Sequence, residues 1–402
     1  MDIAVIGGGA AGFFTAINIK ENYPNYSVTI FDKSQNLLSK VKISGGGRCN
    51  LTNGAKSISE LSKGYPRGEK RLKKIFSKFS NFDCINWFEN RGVPLVLQDD
   101  NCVFPKSQDS SAIIDCFLSE SKRLGIKVIK SADIHFIKSG DKLSLAYKDR
   151  VKTFDSIVVA TGGSPKKEGL LWLENLGHKI EDPVPSLFTF SIPNSKITSL
   201  MGIVIENSIV SIEGTKLKSA GTLLITHWGV SGPAILKLSS FGARVLNEKN
   251  YRFNLKINWI GVVSSESVVS DLNGIKDSHK MKYLSNYRPY NLTERVWSYL
   301  LEKLALSMDK RWGEIGKRDI NRLSNILTND IYEVRGKTSF KEEFVTCGGV
   351  SLESVDIKTM ESKIVKNLYF AGEILDIDGI TGGYNLQAAW STGFVAAKLG
   401  LS

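Results

Sequence analysis

A chain of 402 residues exceeds one ordinary domain, and two or three are expected. Its 42% hydrophobic and 23% charged residues describe a soluble globular protein, and no apolar run of about 18 residues predicts a membrane helix. The five cysteines are scattered, with no CxxC pair, which argues against a structural zinc or a paired redox disulfide and fits a reducing cytoplasm; the net charge is +12.

The N-terminus carries no basic-then-apolar leader pattern; a nucleotide-binding unit takes that place. Ile3–Ile6 predicts a strand running straight into Gly7-x-Gly9-x-x-Gly12. Ala10 and Ala11 open a helix of small residues, and a second strand at Val28–Phe31 ends on Asp32, 20 residues after Gly12. Gly7 permits the tight turn, Gly9 lets backbone approach a diphosphate, and Gly12 lets the helix pack on the strand. The helix start offers free N–H groups and positive dipole to phosphate, and Asp32 can accept hydrogen bonds from a ribose. Strand, glycines, helix, strand and acid in this register predict a dinucleotide site.

Next comes Lys40 to Asn53, KVKISGGGRCNLTN. Gly45, Gly46 and Gly47 follow Ser44, so backbone N–H groups can crowd a ligand, and Arg48, Asn50, Thr52 and Asn53 supply donors. Residues 56–80 hold eight Lys or Arg against Glu60 and Glu69, a local charge of +6. Leu72, Ile75, Phe76, Phe79, Ile85 and Phe88 fall at roughly helical spacing between the lysines. The spacing predicts an amphipathic helix over 69–91 with a solvated basic face, a reading preferred to a nucleic-acid surface.

A second helix is predicted over 109–124, capped by Asp109 or Ser110, then strands at Lys127–Ile129, Ile134–Lys138, Leu143–Tyr147 and Ser156–Ala160. The last of these runs into Thr161-Gly162-Gly163. Residues 186–260 show short alternating strands with Pro and Gly between them, an antiparallel β pattern. Residues 265–335 are polar and helical, clearest at Leu292–Ser307, and α/β character returns near 344. There a buried strand ends at Gly372-Glu373, a loop holds Asp378, and an Ala-rich helix starts near Gly383-Tyr384. That helix start is a second anion site. The expected architecture is α/β: a Rossmann-like domain (1–185 and 343–402) interrupted by a β domain (186–262) and a helical subdomain (263–342).

GGGAAG at the N-terminus, SGGGRCNLTN at 44–53, ATGGSP at 160–165 and GE-LD-DG-TGGYNLQ at 372–387 resemble one bacterial family of FAD-binding oxidoreductases. Its members are described as aminoacetone-oxidase-like or as enone reductases. The resemblance spans the chain and implies a flavoprotein fold in which the FAD domain is interrupted by a β-barrel-like and a helical domain. It implies FAD as cofactor, with the diphosphate at Gly7, Gly9, Ala10, Ala11 and Gly12 and the adenosine ribose at Asp32 and Lys33. The family usually has Glu where Asp32 stands, and Leu38-Ser39 replaces its Gly-basic pair ahead of Lys40. Ser44, Gly45, Gly46, Gly47, Arg48, Cys49, Asn50, Thr52 and Asn53 match the second motif. Ile134 matches an adenine contact through its backbone. Ala160, Thr161, Gly162 and Gly163 match a loop near the adenine and diphosphate. Gly372, Glu373, Asp378, Gly383, Tyr384, Asn385, Leu386 and Gln387 match the flavin side.

The chain lacks a second GxGxxG after residue 12, so NAD(P)H, if it is the electron donor as expected, binds without a Rossmann half of its own; otherwise electrons come directly from an amine or alcohol substrate and oxygen reoxidises the flavin. The reaction expected is hydride transfer through the flavin to or from a small organic substrate. His227, in Thr226–Pro233, is a catalytic candidate on a loop entering a helix capped by Ser231; Tyr384 and Cys49 are the others. Against each stands a structural role in packing. No metal site, membrane span or obligate protein partner is evident. The alternatives are a flavin-dependent RNA-modifying enzyme using the basic 56–80 stretch, and a flavin-binding sensor without turnover.

Overall fold

The computed structural model describes residues 1–138, 142–148, 150–338 and 345–401. Two compact units divide the chain, Met1–Ser186 with Phe340–Ser402, and Leu187–Ser339. The boundary expected at 342/343 lies outside the described residues.

In the first unit, five strands run parallel in the order Leu368–Phe370, Ser156–Val159, Asp2–Ile6, Ser27–Phe31, Lys127–Ile129. Continuous apolar, largely β-branched runs such as IAVI and SIVV suit strands covered on both faces. Short strands Val355–Asp356 and Glu361–Ser362 extend one edge antiparallel. The first helix, Ala10–Asn22, is buried from Ala11 through Ile19, and it packs against the last helix, Tyr384–Ala396, which is buried nearly all round. Small residues permit that approach: a Cβ on Gly393 would sit 2.7 Å from Thr15 Oγ1.

The stretch predicted as one helix over 69–91 is two, Glu69–Phe76 and Asn81–Glu89. Ser80 makes the break. Its hydroxyl accepts from Asp83 N while the Asp83 carboxylate accepts from Ser80 N, a reciprocal cap that starts a new helix. The predicted helix over 109–124 is Ser111–Arg123.

The second unit holds a seven-stranded antiparallel sheet ordered Asp330–Arg335, Arg252–Asn258, Val204–Ile212, Lys218–Thr226, Gly229–Ser231, Thr189–Ser191, Lys337–Thr338. Helices Ser265–Ser278, Glu294–Lys303 and Lys317–Asn329 share its core, in which Trp297 and Trp312 stack 6.1 Å apart. The β and helical stretches read separately in the sequence therefore form one unit with one core. The reason is the strand Asp330–Arg335, which follows the last of these helices and pairs with Arg252–Asn258. Its alternation, DIYEVR, is a half-buried β pattern hidden inside a polar, helical context. No helix among the described residues is long and apolar enough to cross a membrane.

Candidate functional site

Four neighbouring parallel strands deliver their C-terminal ends to one cavity of about 410 Å³. Ile6 leads to Gly7–Ala11, Phe31 to Asp32 and Lys33, Val159 to Ala160–Gly163, and Phe370, through Gly372, to Glu373. Backbone bonds carry the pairing into these loops: Gly7 N donates to Phe31 O (2.7 Å), Ala160 N to Ile6 O (2.8 Å), Ala371 N to Val159 O (3.0 Å). The chain proceeds to one side of the first strand, then returns on its other side, so the cavity sits at a topological switch point.

The first-turn glycines divide into two kinds. A Cβ on Gly7 would fall 2.2 Å from Ala160 O, and one on Gly12 would fall 1.8 Å from Gly7 O. Those positions are required by the protein's own packing. A Cβ on Gly9 would meet nothing within 4 Å, although Gly9 lines the cavity. Gly9 leaves open space beside the cavity. Both helices that begin here, at Ala10 and at Tyr384, have a glycine N-cap, no side-chain cap and no acid in the first turn. Their first turns line the cavity through Ala10, Ala11, Asn385 and Leu386, and no side-chain cap takes up their N–H groups. Thr346, fully buried and bonded through its N–H to Glu373 Oε1 (3.0 Å), has a hydroxyl with no partner beside Gly163. An open cradle at Gly9 and two helix starts without side-chain caps fit a diphosphate-bearing dinucleotide such as FAD.

Asp32 accepts from Gly8 N at 2.5 Å and from Ser34 N at 2.6 Å, so its short side chain fastens the turn as well as lining the cavity. Lys40 and Glu373 form an ion pair at 2.6 Å within the lining. Ser44, Asn385 and Leu386 line it too, as do Gly8, Leu38, Ile43, Val345 and Ala389, which sequence reasoning did not select. Gly8 could have been found from its place inside the motif; Val345 had no motif to mark it.

The rest of the 44–53 motif lies outside the cavity lining and knits the fold together. Gly45, Gly46 and Gly47 all have positive φ, and Arg48 lies over the Phe104 ring at 4.2 Å. Thr52 donates to Gln387 Oε1, and Gln387 in turn donates to Ser391 Oγ (2.8 Å). Asn53 donates to Gly382 O (3.1 Å), and Asn50, with its amide turned to suit its neighbours, accepts from Gly383 N (3.3 Å). A Cβ on Gly383 would fall 2.4 Å from Thr52 O. Ile134 is a buried strand residue outside the lining, and Gly372 packs against Ala11. Asp378, expected on the flavin side, is fully buried in an ion pair with Arg67.

Of the three catalytic candidates, Cys49 and Tyr384 belong to the first unit. The Cys49 thiol is buried and pushed up to about 12, which keeps it protonated. Tyr384 packs edge-on against Tyr65, whose hydroxyl donates to Tyr384 O (2.6 Å), and burial raises its phenol above the ordinary value. His227 belongs to the second unit. Its loop is a two-residue turn, His227-Trp228, closing a hairpin between Lys218–Thr226 and Gly229–Ser231. The next helix is capped by Gly232, not Ser231, with Pro233 in its first turn.

The chain is 27% identical over 406 residues to a ribosomal RNA dihydrouridine synthase of Haemophilus influenzae, covering 98% of this chain and 96% of that one. It is 24% identical to a 3-dehydro-bile acid delta(4,6)-reductase of Clostridium scindens, covering 98% of each. In fold it is similar to the 3-ketosteroid delta1-dehydrogenase of Sterolibacterium denitrificans, with a TM-score of 0.52 at 12% identity over 99% of this chain and 98% of that one. The architecture is the Rossmann-like FAD-binding α/β fold of flavoprotein oxidoreductases. A family model matches residues 1–399, and the chain belongs to the HI0933-like protein Rossmann domain family.

Proposed function

We propose that this chain is an FAD-dependent oxidoreductase that reduces a carbon–carbon double bond conjugated to a carbonyl in a small organic substrate, with NAD(P)H as donor. The observation that supports the cofactor in this reading is the cavity lined by two uncapped helix starts and the open face of Gly9. The N–H groups of Gly9, Ala10 and Ala11 would hold the diphosphate, Asp32 and Lys33 the ribose, and Asn385 and Leu386 the ring end. Bound FAD supplies a two-electron carrier that accepts hydride from one partner and passes it to another. The protein's part is to orient that carrier and keep water from it. Overall, NAD(P)H and one proton saturate the double bond and leave NAD(P)+. Two relatives are named a 3-dehydro-bile acid delta(4,6)-reductase and a ribosomal RNA dihydrouridine synthase, and their names support this reading.

A second reading places the double bond in RNA. The net charge of +12 favours it, with Lys70, Arg71, Lys73 and Lys74 all exposed on the helix Glu69–Phe76. Two curated relatives are named ribosomal RNA dihydrouridine synthases.

The test begins with the visible spectrum of the purified protein, followed by anaerobic NADH or NADPH. Bleaching by one donor, then reoxidation by a conjugated enone, supports the first reading. Reoxidation by unmodified ribosomal RNA alone, with affinity falling steeply as salt rises, moves the substrate to RNA. A folded, reconstituted sample without flavin absorbance overturns both.

A further inference from the structure

We propose that the free edge of the strand Asp330–Arg335 is a docking site for an extended peptide segment of a partner protein, which adds to the sheet as a further strand. The site lies within the second unit and does not depend on the cofactor. The strand pairs on one side only, with Arg252–Asn258. Backbone polar groups alternate in direction along a strand, and one bond fixes their phase: Glu213 N donates to Asn254 O at 3.0 Å. Asn254 thus faces the strand Val204–Ile212, and Phe253, Leu255 and Ile257 face Val334, Tyr332 and Asp330. Gly336 N, which donates to Tyr251 O at 2.8 Å, keeps the same phase. The N–H and C=O groups of Ile331, Glu333 and Arg335 therefore point away from the sheet. Among the described residues no backbone group pairs with them.

The sheet closes on itself where Thr189–Ser191 pairs with Lys337–Thr338 and Ser191 N donates to Gly336 O at 3.1 Å. Beyond that closure a cavity of about 710 Å³ is lined by Ile331, Glu333 and Arg335 on one side and by residues 192–196 on another. Donors and acceptors repeating at every second residue, about 7 Å apart, match another extended backbone. Side chains set its sequence. Ile331, Glu333 and Arg335 share the exposed face, and Arg335 Nε donates to Glu333 Oε1 at 2.8 Å. Every pairing in this sheet is antiparallel, and an antiparallel newcomer meets Arg335 first, then Glu333, then Ile331. The complementary pattern is acid-x-base-x-apolar. A second copy of this strand does not supply it. With Glu333 opposite Arg335, the residue falling opposite Ile331 is Lys337, which is charged and already paired with Phe190.

The experiment titrates the full chain against the fluorescein-labelled peptide Thr-Glu-Thr-Lys-Thr-Val-Thr and reads fluorescence anisotropy. Saturable binding is expected. N-methylation at the peptide's Glu, Lys or Val, whose amides face the strand, is expected to weaken it about tenfold or more. N-methylation at either Thr between them, whose amide faces away, is expected to leave it unchanged. Exchanging the peptide's Glu and Lys is expected to weaken binding about two- to fivefold. Glu333→Pro removes one outward N–H while sparing the ladder to Arg252–Asn258, so binding is expected to vanish with the melting temperature near wild type. The methylated peptides test the pairing on the wild-type protein should that variant melt early. No saturation up to about 1 mM peptide, or equal losses at both sets of methylated positions, overturns the proposal. A wild-type dimer in sedimentation that Glu333→Pro dissolves gives the edge to a second copy and overturns it as well.

Discussion

The Arg67 guanidinium grips both carboxylate oxygens of Asp378, 311 residues later in the chain, where Asp378 is fully buried. Ser186 donates its hydroxyl hydrogen to the same carboxylate at 2.6 Å. Burial alone would lower the pKa of Arg67, but the hydrogen bond and charge of Asp378 outweigh it and hold the value above the ordinary one. The pair joins the basic segment to the loop that feeds the last helix. The one acid of that loop matched to the flavin side is thus committed to the fold.

Asp378→Asn leaves a buried guanidinium without its counter-charge, and the expected cost is about 3–5 kcal/mol of stability. The double replacement Arg67→Met with Asp378→Leu removes both charges and is expected to be markedly more stable than Asp378→Asn. Urea midpoints followed by circular dichroism check the order; a single variant as stable as wild type contradicts it.

Gly9→Ala and Gly12→Ala are expected to fail in different ways. Gly12→Ala drives a methyl into Gly7 O and destabilises the unliganded protein. Gly9→Ala meets no protein atom, so the apoprotein's melting temperature is expected to stay near wild type. Its methyl occupies the cradle instead, and FAD affinity is expected to fall by about tenfold or more, a loss near 1.4 kcal/mol. Thermal melting of the apoproteins and flavin titration separate the two. An apo Gly9→Ala as unstable as Gly12→Ala contradicts the division.

This contrast also marks what was legible in the sequence. The strand, the glycines and Asp32 lie within 32 residues, so local spacing sufficed to place the turn. The motif reading could not separate glycines that face a ligand from those that face the chain, as Gly9 and Gly12 do. Nor could it tell what the polar residues of TGGYNLQ bond: Asn385 lines the cavity while its amide pairs both ways with Gly379, and Gln387 bonds Thr52 and Ser391. Thr346 and Arg67 were invisible because their partners, Glu373 and Asp378, are distant in sequence and carry no periodic signal. The basic stretch was legible except at Arg67, which turns inward while Lys70, Lys73 and Lys74 stay in solvent.

All five cysteines are buried and free of disulfides. Burial raises the thiols of Cys102 and Cys116 to about 11 and that of Cys49 to about 12, and raises Cys84 as well. The thiolate, the reactive form, is therefore scarce at neutral pH. The folded protein is expected to show almost no fast reaction with a disulfide reagent at pH 8, and all five thiols are expected to react once it is unfolded in guanidinium. Fast labelling at Cys49 in the native state would restore it as a candidate for thiol chemistry.

His178 makes stability fall on acidification. Its Nδ1 lies 3.0 Å from Leu173 O, which can only accept, so Nδ1 carries the hydrogen. Its Nε2 lies 2.8 Å from Ser362 Oγ, which already accepts from Ile364 N and Val365 N and so gives its own hydrogen to the ring. A second ring proton would meet that donor. Burial, only partly offset by the Leu173 bond, lowers the imidazole pKa below 6.5. The unfolded chain then binds the proton first as pH falls. The contribution of His178 is complete above about pH 6.5 and is lost as pH drops toward the folded-state value, by up to about 1.4 kcal/mol per unit. Urea midpoints at pH 7.5, 6.5 and 5.5 are expected to decline in wild type and to decline less in His178→Gln, whose amide does not titrate. Parallel slopes in the two proteins would assign the acid sensitivity to other groups.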